Sequence, residues 1–461
     1  MADIVVVGAG ITGLAAAERI LHQEPGADIL VLEGSPRVGG KLHIGELAGQ
    51  QIDLGAEAVL ARRPEAVALI DQLGLTRESP AAVGASLWSR GALRAMPQGT
   101  LMGIPSDAGA LTEILDAGEV ARAAAEQPVQ IDGDLSLGSL VQQALGPAVV
   151  DRLIEPLLGG VYAGDARALS ARACLPAAYD EVASGGTLTA LAARAAAAPR
   201  SDAPVFASLA GGIGGLPIAL AQHLAAKGVT IETDAMVREL RSVADGFELT
   251  VGSARSPRTV RASAIVLAAP AAPTSRLLGD IAPAAAQALA AIDYASMVLV
   301  SYAFERGTIP GDTSGFLVPP IDGRDIKAST FSSAKWPWLR QALPAYDVVR
   351  VSFGRAGEVR TLQRTDEDLA AAGLADLSEA LGRPLPAPVD TRVQRWGGGL
   401  PQYAVGHLDR VAAVRADLPQ GLAVAGAAYD GVGIPACIAS ARRASEELLT
   451  RVSGTTQESE E

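Results

Sequence analysis

The sequence predicts an α/β protein: a discontinuous Rossmann-like dinucleotide-binding domain, a mixed-sheet second domain and a helical subdomain. Three observations predict it. Ile4–Val7 is a short β-branched run followed by Gly8, Gly10 and Gly13 in the spacing G-x-G-x-x-G, an alanine- and leucine-rich helix at Leu14–Leu21, and a second buried run, Ile29–Leu32, that ends in Glu33. Two further apolar strands, Ala264–Ala269 and Leu422–Gly426, return to this pattern far downstream. Between them, 105–200 is helical in composition, and Tyr294–Phe304 opens a series of valine- and aromatic-rich strands.

In the first unit Gly8 makes the tight turn, Gly10 lets the backbone approach a pyrophosphate, and Gly13 lets helix and strand pack closely. Ala9, Ile11 and Thr12 complete the loop, so that the anion meets the N–H groups and positive dipole of the helix N-terminus. Glu33, with Gly34 after it, lies where a carboxylate accepts hydrogen bonds from a ribose. The motif alone does not separate NAD from FAD. Arg37-Val38-Gly39-Gly40-Lys41 does: a glycine doublet brings a second stretch of backbone to the cofactor, between cations that can face its phosphates. This arrangement resembles the amine-oxidase-like flavoproteins, which bind FAD; nicotinamide dehydrogenases normally lack the doublet.

Leu42–Ile52 reads as a hairpin, and Gly55 in Asp53–Glu57 as another close approach to the cofactor. Pro64–Leu75 is a helix, and 85–97 forms two short strands around Arg90-Gly91. Leu111–Ala125, Ser139–Leu145 and Thr187–Ala198 are helical. In Pro156–Leu169 the pair Gly159-Gly160 suggests a tight turn beside a cavity. Gly211-Gly212-Ile213-Gly214-Gly215 opens a helix, Leu216–Lys227; no buried strand immediately precedes it, which argues against a second nucleotide site. A strand pair follows (Phe247–Val251 and Thr259–Ala262). Gly315–Val318, Ala328–Phe331 and Val348–Phe353 accompany Tyr294–Phe304, and Asp366–Leu381 is a helix. After Leu422–Gly426 a glycine loop leads into a helix to about Leu449, and an acidic tail without structure is expected after Ser453. The expected division is 1–84, 205–272 and 395–461 for the FAD domain, 85–104 and 273–394 for the substrate domain, and 105–204 for the helical subdomain.

Composition narrows the function. The net charge of −13 argues against nucleic acid as a partner and against broad attraction to anionic lipid. Cys174 and Cys437 show no metal-ligand or redox spacing, and no metal is expected. The first strand begins directly after Met1-Ala2, and no apolar run is long enough to span a membrane; a cytoplasmic placement is expected. Peripheral membrane contact through an apolar helical patch is left open.

Taken together, the chain resembles the bacterial flavin-dependent porphyrinogen oxidases, which include protoporphyrinogen IX and coproporphyrinogen III oxidases. The resemblance rests on the N-terminal motif through Lys41, LARRPEA after Glu57, PLLGGVYAGD at 156–165, RWGGGLPQYAVGH at 395–407 and AGAAYDGVGIPACIAS at 425–440. It implies that Gly8–Gly13, Glu33, Gly34, Arg37, Gly39, Gly40 and Lys41 bind FAD, and that Gly55, Ala56, Glu57 and Ala58 line the flavin. By the same resemblance Val237 holds the adenine through its backbone, and Gly426, Ala427, Val432, Gly433 and Ile434 lie at the isoalloxazine. Trp396 joins the cofactor set and, with Tyr403, the cavity wall; Arg63, Gly160, Tyr162 and Tyr403 form the candidate substrate set. One position departs from the pattern. Some protoporphyrinogen oxidases carry an arginine before the LWSRGAL-like strand, thought to hold a substrate carboxylate; here it is Ala85, which leaves Arg63, Arg90, Lys327 and Lys335 as open candidates, each more simply read as a surface cation.

The activity this implies is FAD-dependent, oxygen-using oxidation of coproporphyrinogen III to coproporphyrin III in haem biosynthesis, a six-electron reaction in three hydride transfers to flavin N5. Coproporphyrinogen ranks first because the resemblance is closest to enzymes of bacteria without an outer membrane. Protoporphyrinogen IX ranks second; an amine oxidase, a carotenoid desaturase and a non-enzymatic FAD protein are the other readings. No side chain need act as a strong base, and His22, His43, His223 and His407 are scattered. A haem-pathway enzyme is a possible partner.

Overall fold

The structure, a computed structural model, describes residues 2–199 and 204–458. Two seven-stranded sheets organise it. In the first, Thr230–Glu232, Ile29–Leu32, Ala2–Val7 and Ser256–Leu267 run parallel, and Leu422–Val424 pairs parallel with the last. Gly246–Ser253 and Val237–Val243 extend this sheet antiparallel. Its central strands read as continuous Val/Ile/Leu runs because both faces are covered. Ile11–Gln23, Gly215–Ala226 and the helix beginning at Ile434 pack on one face, and Ala271–Leu278, Pro283–Ala290 and His407–Asp417 on the other. Three pieces of chain far apart in sequence therefore build one core.

The second sheet has the order Asp390–Pro401, Tyr294–Glu305, Tyr346–Phe353, Ile326–Thr330, Gly315–Leu317, Ser86–Ser89, Ala92–Ala95. Trp396 lies on it, in Asp390–Pro401. Leu369 and Leu377 of helix Asp366–Ala380 cover one face, against Tyr302, Phe304, Phe316, Val351 and Phe353. Leu87 and Leu317 belong instead to the core of the helical segment, with Leu140, Val141, Leu153 and Leu158.

Several elements differ from expectation. Ser256–Leu267 is one strand: its first half pairs with Gly246–Ser253 and its second with Ala2–Val7. The helix expected at Leu111–Ala125 is interrupted, because Asp116 caps Ala117–Ala124 through a capping box with Glu119, and an N-cap residue leaves helical geometry. The expected turn at Gly159-Gly160 is the interior of helix Glu155–Tyr162, which continues directly from the π-helical turn Val150–Ile154, carries Pro156 as its second residue and ends at Ala163 in the left-handed region. The last helix continues to Glu458; the final three residues of the expected acidic tail lie outside the described residues.

Candidate functional site

The N-terminal loop takes the form its glycines require. Gly8 has φ +107°, and a Cβ there would stand 2.9 Å from the Ala268 carbonyl oxygen. A Cβ on Gly13 would stand 1.8 Å from the Gly8 carbonyl oxygen, so the helix approaches the strand only with glycine. Gly10 differs: its φ is an ordinary −69°, and nothing lies within 4 Å of where a Cβ would be. No protein atom demands glycine there. The open space fits a ligand that approaches the backbone at the N-terminus of helix Ile11–Gln23, where Thr12 is buried.

Glu33 stands beside this loop. Its carboxylate accepts from Ala9 N and Ser35 N, both at 2.8 Å, and so spends two of about four acceptor positions on the backbone. Asp234 and Ala235 donate to the Ser35 and Glu33 carbonyls, which brings Val237, at the start of its strand, to the same edge; Met236 lies over Gly34. The doublet packs on the loop: Gly39 N donates to Ala9 O at 2.8 Å, and a Cβ on Gly40 would be 3.4 Å from Gly10 Cα. The Arg37 guanidinium braces this turn, donating to the Gly40 and Val38 carbonyls at 2.8 and 3.3 Å. Lys41 has an open surface although protein surrounds it, as on a concave wall; burial lowers its pKa and its ammonium lies 5.7 Å from the Tyr294 ring centre.

The C-terminal loop closes on the same place. A Cβ on Gly426 (φ +128°) would be 3.6 Å from Thr12 Oγ1. Gly426 N donates to Ser440 Oγ at 2.9 Å, and Ser440 donates to Asp430, which also receives Arg415 at 2.6 Å and Arg443 at 2.9 Å. Burial would raise the Asp430 pKa, but Ser440 and the arginines outweigh it and hold the carboxylate ionised. Tyr403 donates its hydroxyl to the Ala427 carbonyl. Val432 and Gly433 are accessible, and Ile434 begins the last helix.

Several of the other expected residues also contact protein. Gly55 makes room for protein: a Cβ would stand 2.0 Å from the Lys41 carbonyl oxygen and 3.3 Å from Trp396. Trp396 lies across it, donating to the Leu54 carbonyl at 2.9 Å. Glu57 is paired with Lys335 at 2.5 Å and Arg350 at 3.0 Å, both from the second-sheet side. Burial would raise its pKa; Arg350 and Lys335 hold it instead at about 2. Ala56 is exposed and Ala58 packs on Leu47 and Trp336. Tyr162 and Tyr403 are buried edge to face, 5.4 Å apart, and support the C-terminal loop from beneath. Gly160 is accessible, and where its Cβ would be only Leu317 comes near, at 3.8 Å; Gly159 has nothing within 4 Å. Gly159 is buried, and at Gly160 the helix borders open space beside the second sheet. Arg63 pairs with Glu65 and Arg90 with Glu119, so these two and Lys335 are already neutralised.

Four residues had gone unassigned. Arg350 is a cation flanked by valines in the strand Tyr346–Phe353, a visible signal. Asp430 and Ser440 gave none beyond their place in the loop. Asp53 explains the GGIGG segment: its buried carboxylate accepts from Ile213 N and Gly214 N, both at 2.9 Å, and so fills the anion nest from within the protein.

Residues 11–449 match the family of flavin-containing amine oxidoreductases. The chain is 38% identical over 457 residues to the coproporphyrinogen III oxidase of Mycobacterium tuberculosis, covering 96% of each chain. It is 33% identical to the coproporphyrinogen III oxidase of Propionibacterium freudenreichii, covering 97% of this chain and 90% of that one. A crystal structure from Exiguobacterium sp. 255-15, provisionally named a protoporphyrinogen oxidase, superposes with a TM-score of 0.86 at 30% identity, covering 98% and 99%. The chain belongs to the flavin-containing amine oxidoreductases, as a porphyrinogen-oxidase-like member with a flavin cofactor.

Proposed function

We propose that the chain oxidises coproporphyrinogen III to coproporphyrin III, using FAD and oxygen, in haem biosynthesis. The observation that carries this is the end-to-end likeness to coproporphyrinogen III oxidases, at a level that includes the segments around the glycine helix and the C-terminal loop. Bound FAD supplies hydride acceptance at N5.

The chain's own part is binding, orientation and exclusion of water. The Gly8–Gly13 loop receives the pyrophosphate, Glu33 the ribose through its remaining lone pairs, and Val237 the adenine through its backbone. Arg37 shapes the doublet that brings Gly39 and Gly40 to the cofactor, and Lys41 faces it. The loop containing Ala427 and Val432–Ile434, fixed by Tyr403 and Asp430, receives the ring end. The Glu57–Lys335–Arg350 cluster fixes the second sheet against the first, which sets the distance between cofactor and substrate. The open surface at Gly160 admits the puckered porphyrinogen macrocycle. Aromatisation removes six hydrogens in three two-electron steps and consumes three oxygen molecules to give three of hydrogen peroxide. Three of the six hydrogens leave as hydrides from bridging carbons and three as protons, two from pyrrole nitrogens and one from the fourth bridging carbon, which pass to water; none of the four histidines needs to act as a base.

The test is anaerobic mixing of the purified protein with coproporphyrinogen III and with protoporphyrinogen IX, followed by flavin absorbance and, after oxygen is admitted, porphyrin fluorescence. Flavin bleaching by coproporphyrinogen is expected. Bleaching by neither removes the proposal; a large preference for protoporphyrinogen reverses the order of substrates.

A further inference from the structure

The proposed substrate carries four propionates, and the arginine that some relatives use for a carboxylate is replaced by Ala85. Of the four cations that could substitute, three are spent on carboxylates of the protein. Lys327 is not. It is also not the surface cation that its sequence context suggested: it is 4% exposed. Ile326 pairs with Phe353 and Ala328 with Ser352, so Lys327 is the extra residue of a bulge in its strand. Its ammonium can donate three hydrogen bonds and makes one, to the Gly354 carbonyl at 2.8 Å.

Its neighbour makes the charge imbalance sharper. Arg355 is close enough to repel it, and both stand near a single acid, Glu358, which is 3.6 Å from Arg355 and half open to solvent. Two cations against one partly solvated carboxylate leave uncompensated positive charge in a desolvated corner whenever Lys327 is protonated. Such a corner is costly unless an anion completes it.

The corner adjoins the glycine helix. Ala356 N donates to the carbonyl of Ala163, the residue that ends helix Glu155–Tyr162, and Gly160 of that helix faces Leu317 on the strand beside Lys327. We propose that Lys327 and Arg355 form the anchor for a propionate carboxylate of the porphyrinogen, beside the open surface at Gly160. This rests on the porphyrinogen reading above and names the residues of its substrate specificity. Burial, reinforced by Arg355, lowers the Lys327 pKa to about 7, so part of the lysine population is neutral above neutrality, and an incoming carboxylate draws a proton onto it.

The experiment uses the flavin-loaded protein in two assays. The first is steady-state oxidation of coproporphyrinogen III by wild type, K327M, K327R and R355Q. K327M and R355Q raise KM roughly ten-fold or more while kcat stays within about two-fold, as expected for a charge-assisted bond made equally in ground and transition states. The second is calorimetric binding of coproporphyrin III at pH 8 in two buffers of different ionisation enthalpy. Wild type takes up protons on binding; K327R binds without uptake, because its guanidinium is always charged. If K327M does not retain flavin, K327R and R355Q decide. Wild-type KM in R355Q together with unchanged proton uptake in K327R overturns the anchor and leaves the porphyrinogen reading standing. Failure of wild type to oxidise any porphyrinogen overturns both.

Discussion

Glu33 shows how one side chain can serve the protein and a ligand together. A carboxylate at this place is expected to bind ribose, yet both oxygens already accept backbone N–H groups, from Ala9 and Ser35. These bonds orient the carboxylate and tie the end of one strand to the loop at the start of the helix. A hydrogen bond to a charged group contributes ~1.5–3 kcal/mol, so losing those to the ribose weakens FAD binding ten-fold or more. Glu33→Ala is therefore expected to purify with a reduced flavin-to-protein absorbance ratio and a native-like circular dichroism spectrum. Glu33→Gln, which keeps one acceptor oxygen, should fall between. Full flavin content in Glu33→Ala would remove the ribose role. Lys327 is the opposite case: its residue type was visible, but nothing local in the sequence marks it as buried and unpaired.

At the scale of elements, what was legible depended on how local the constraint is. G-x-G-x-x-G specifies a turn whose steric demands fall on neighbouring residues, so loop, helix and doublet were readable before any packing was known. Gly159-Gly160 misled for the same reason, since a glycine pair favours a turn when only its own propensity is weighed. Burial of Pro156, Leu158 and Tyr162 holds the helix in spite of it. Partnerships across long separations were not legible: Glu57 meets Lys335, 278 residues away, and Asp53 caps a loop 160 residues on. The glycine helix also yields a test. Alanine at position 160 meets only Leu317, at ordinary contact distance, and should stabilise the helix by ~0.5–1 kcal/mol. Gly160→Ala is expected to raise the melting temperature slightly, keep its flavin and raise KM for the porphyrinogen. A more stable enzyme with unchanged KM would place the substrate elsewhere.

For the whole molecule, buried titratable groups set a pH dependence with opposing contributions. His407 is fully buried, stacked 4.1 Å from the Tyr403 ring that holds Ala427. Burial lowers its pKa from 6.5 to about 4, with Arg410 adding to the effect and Asp430 and Asp134 opposing it. The unfolded chain takes up this proton first, so the stability that His407 contributes is complete above pH 6.5 and is lost as pH falls through about 4. Asp53 acts in reverse. Burial raises it from 3.8 to about 7 in spite of its two backbone donors, so its contribution is complete below pH 3.8 and is lost as pH rises through about 7. Glu155, raised from 4.5 to about 7 by burial and then by Asp165, acts in the same sense as Asp53. Between pH 4.5 and 6.5 the histidine makes stability rise with pH and the two carboxyls make it fall, each by at most ~1.4 kcal/mol per pH unit. Chemical denaturation of the flavin-loaded protein across this window should then show a more negative slope for His407→Phe than for wild type, and a more positive one for Asp53→Asn. The comparison is of slopes, so it holds even though Asp53→Asn also loses absolute stability by leaving one buried N–H poorly met. A slope unchanged by His407→Phe would mean that the imidazole finds a proton-accepting partner in the folded chain, and that the Tyr403 stack does not depend on its neutrality.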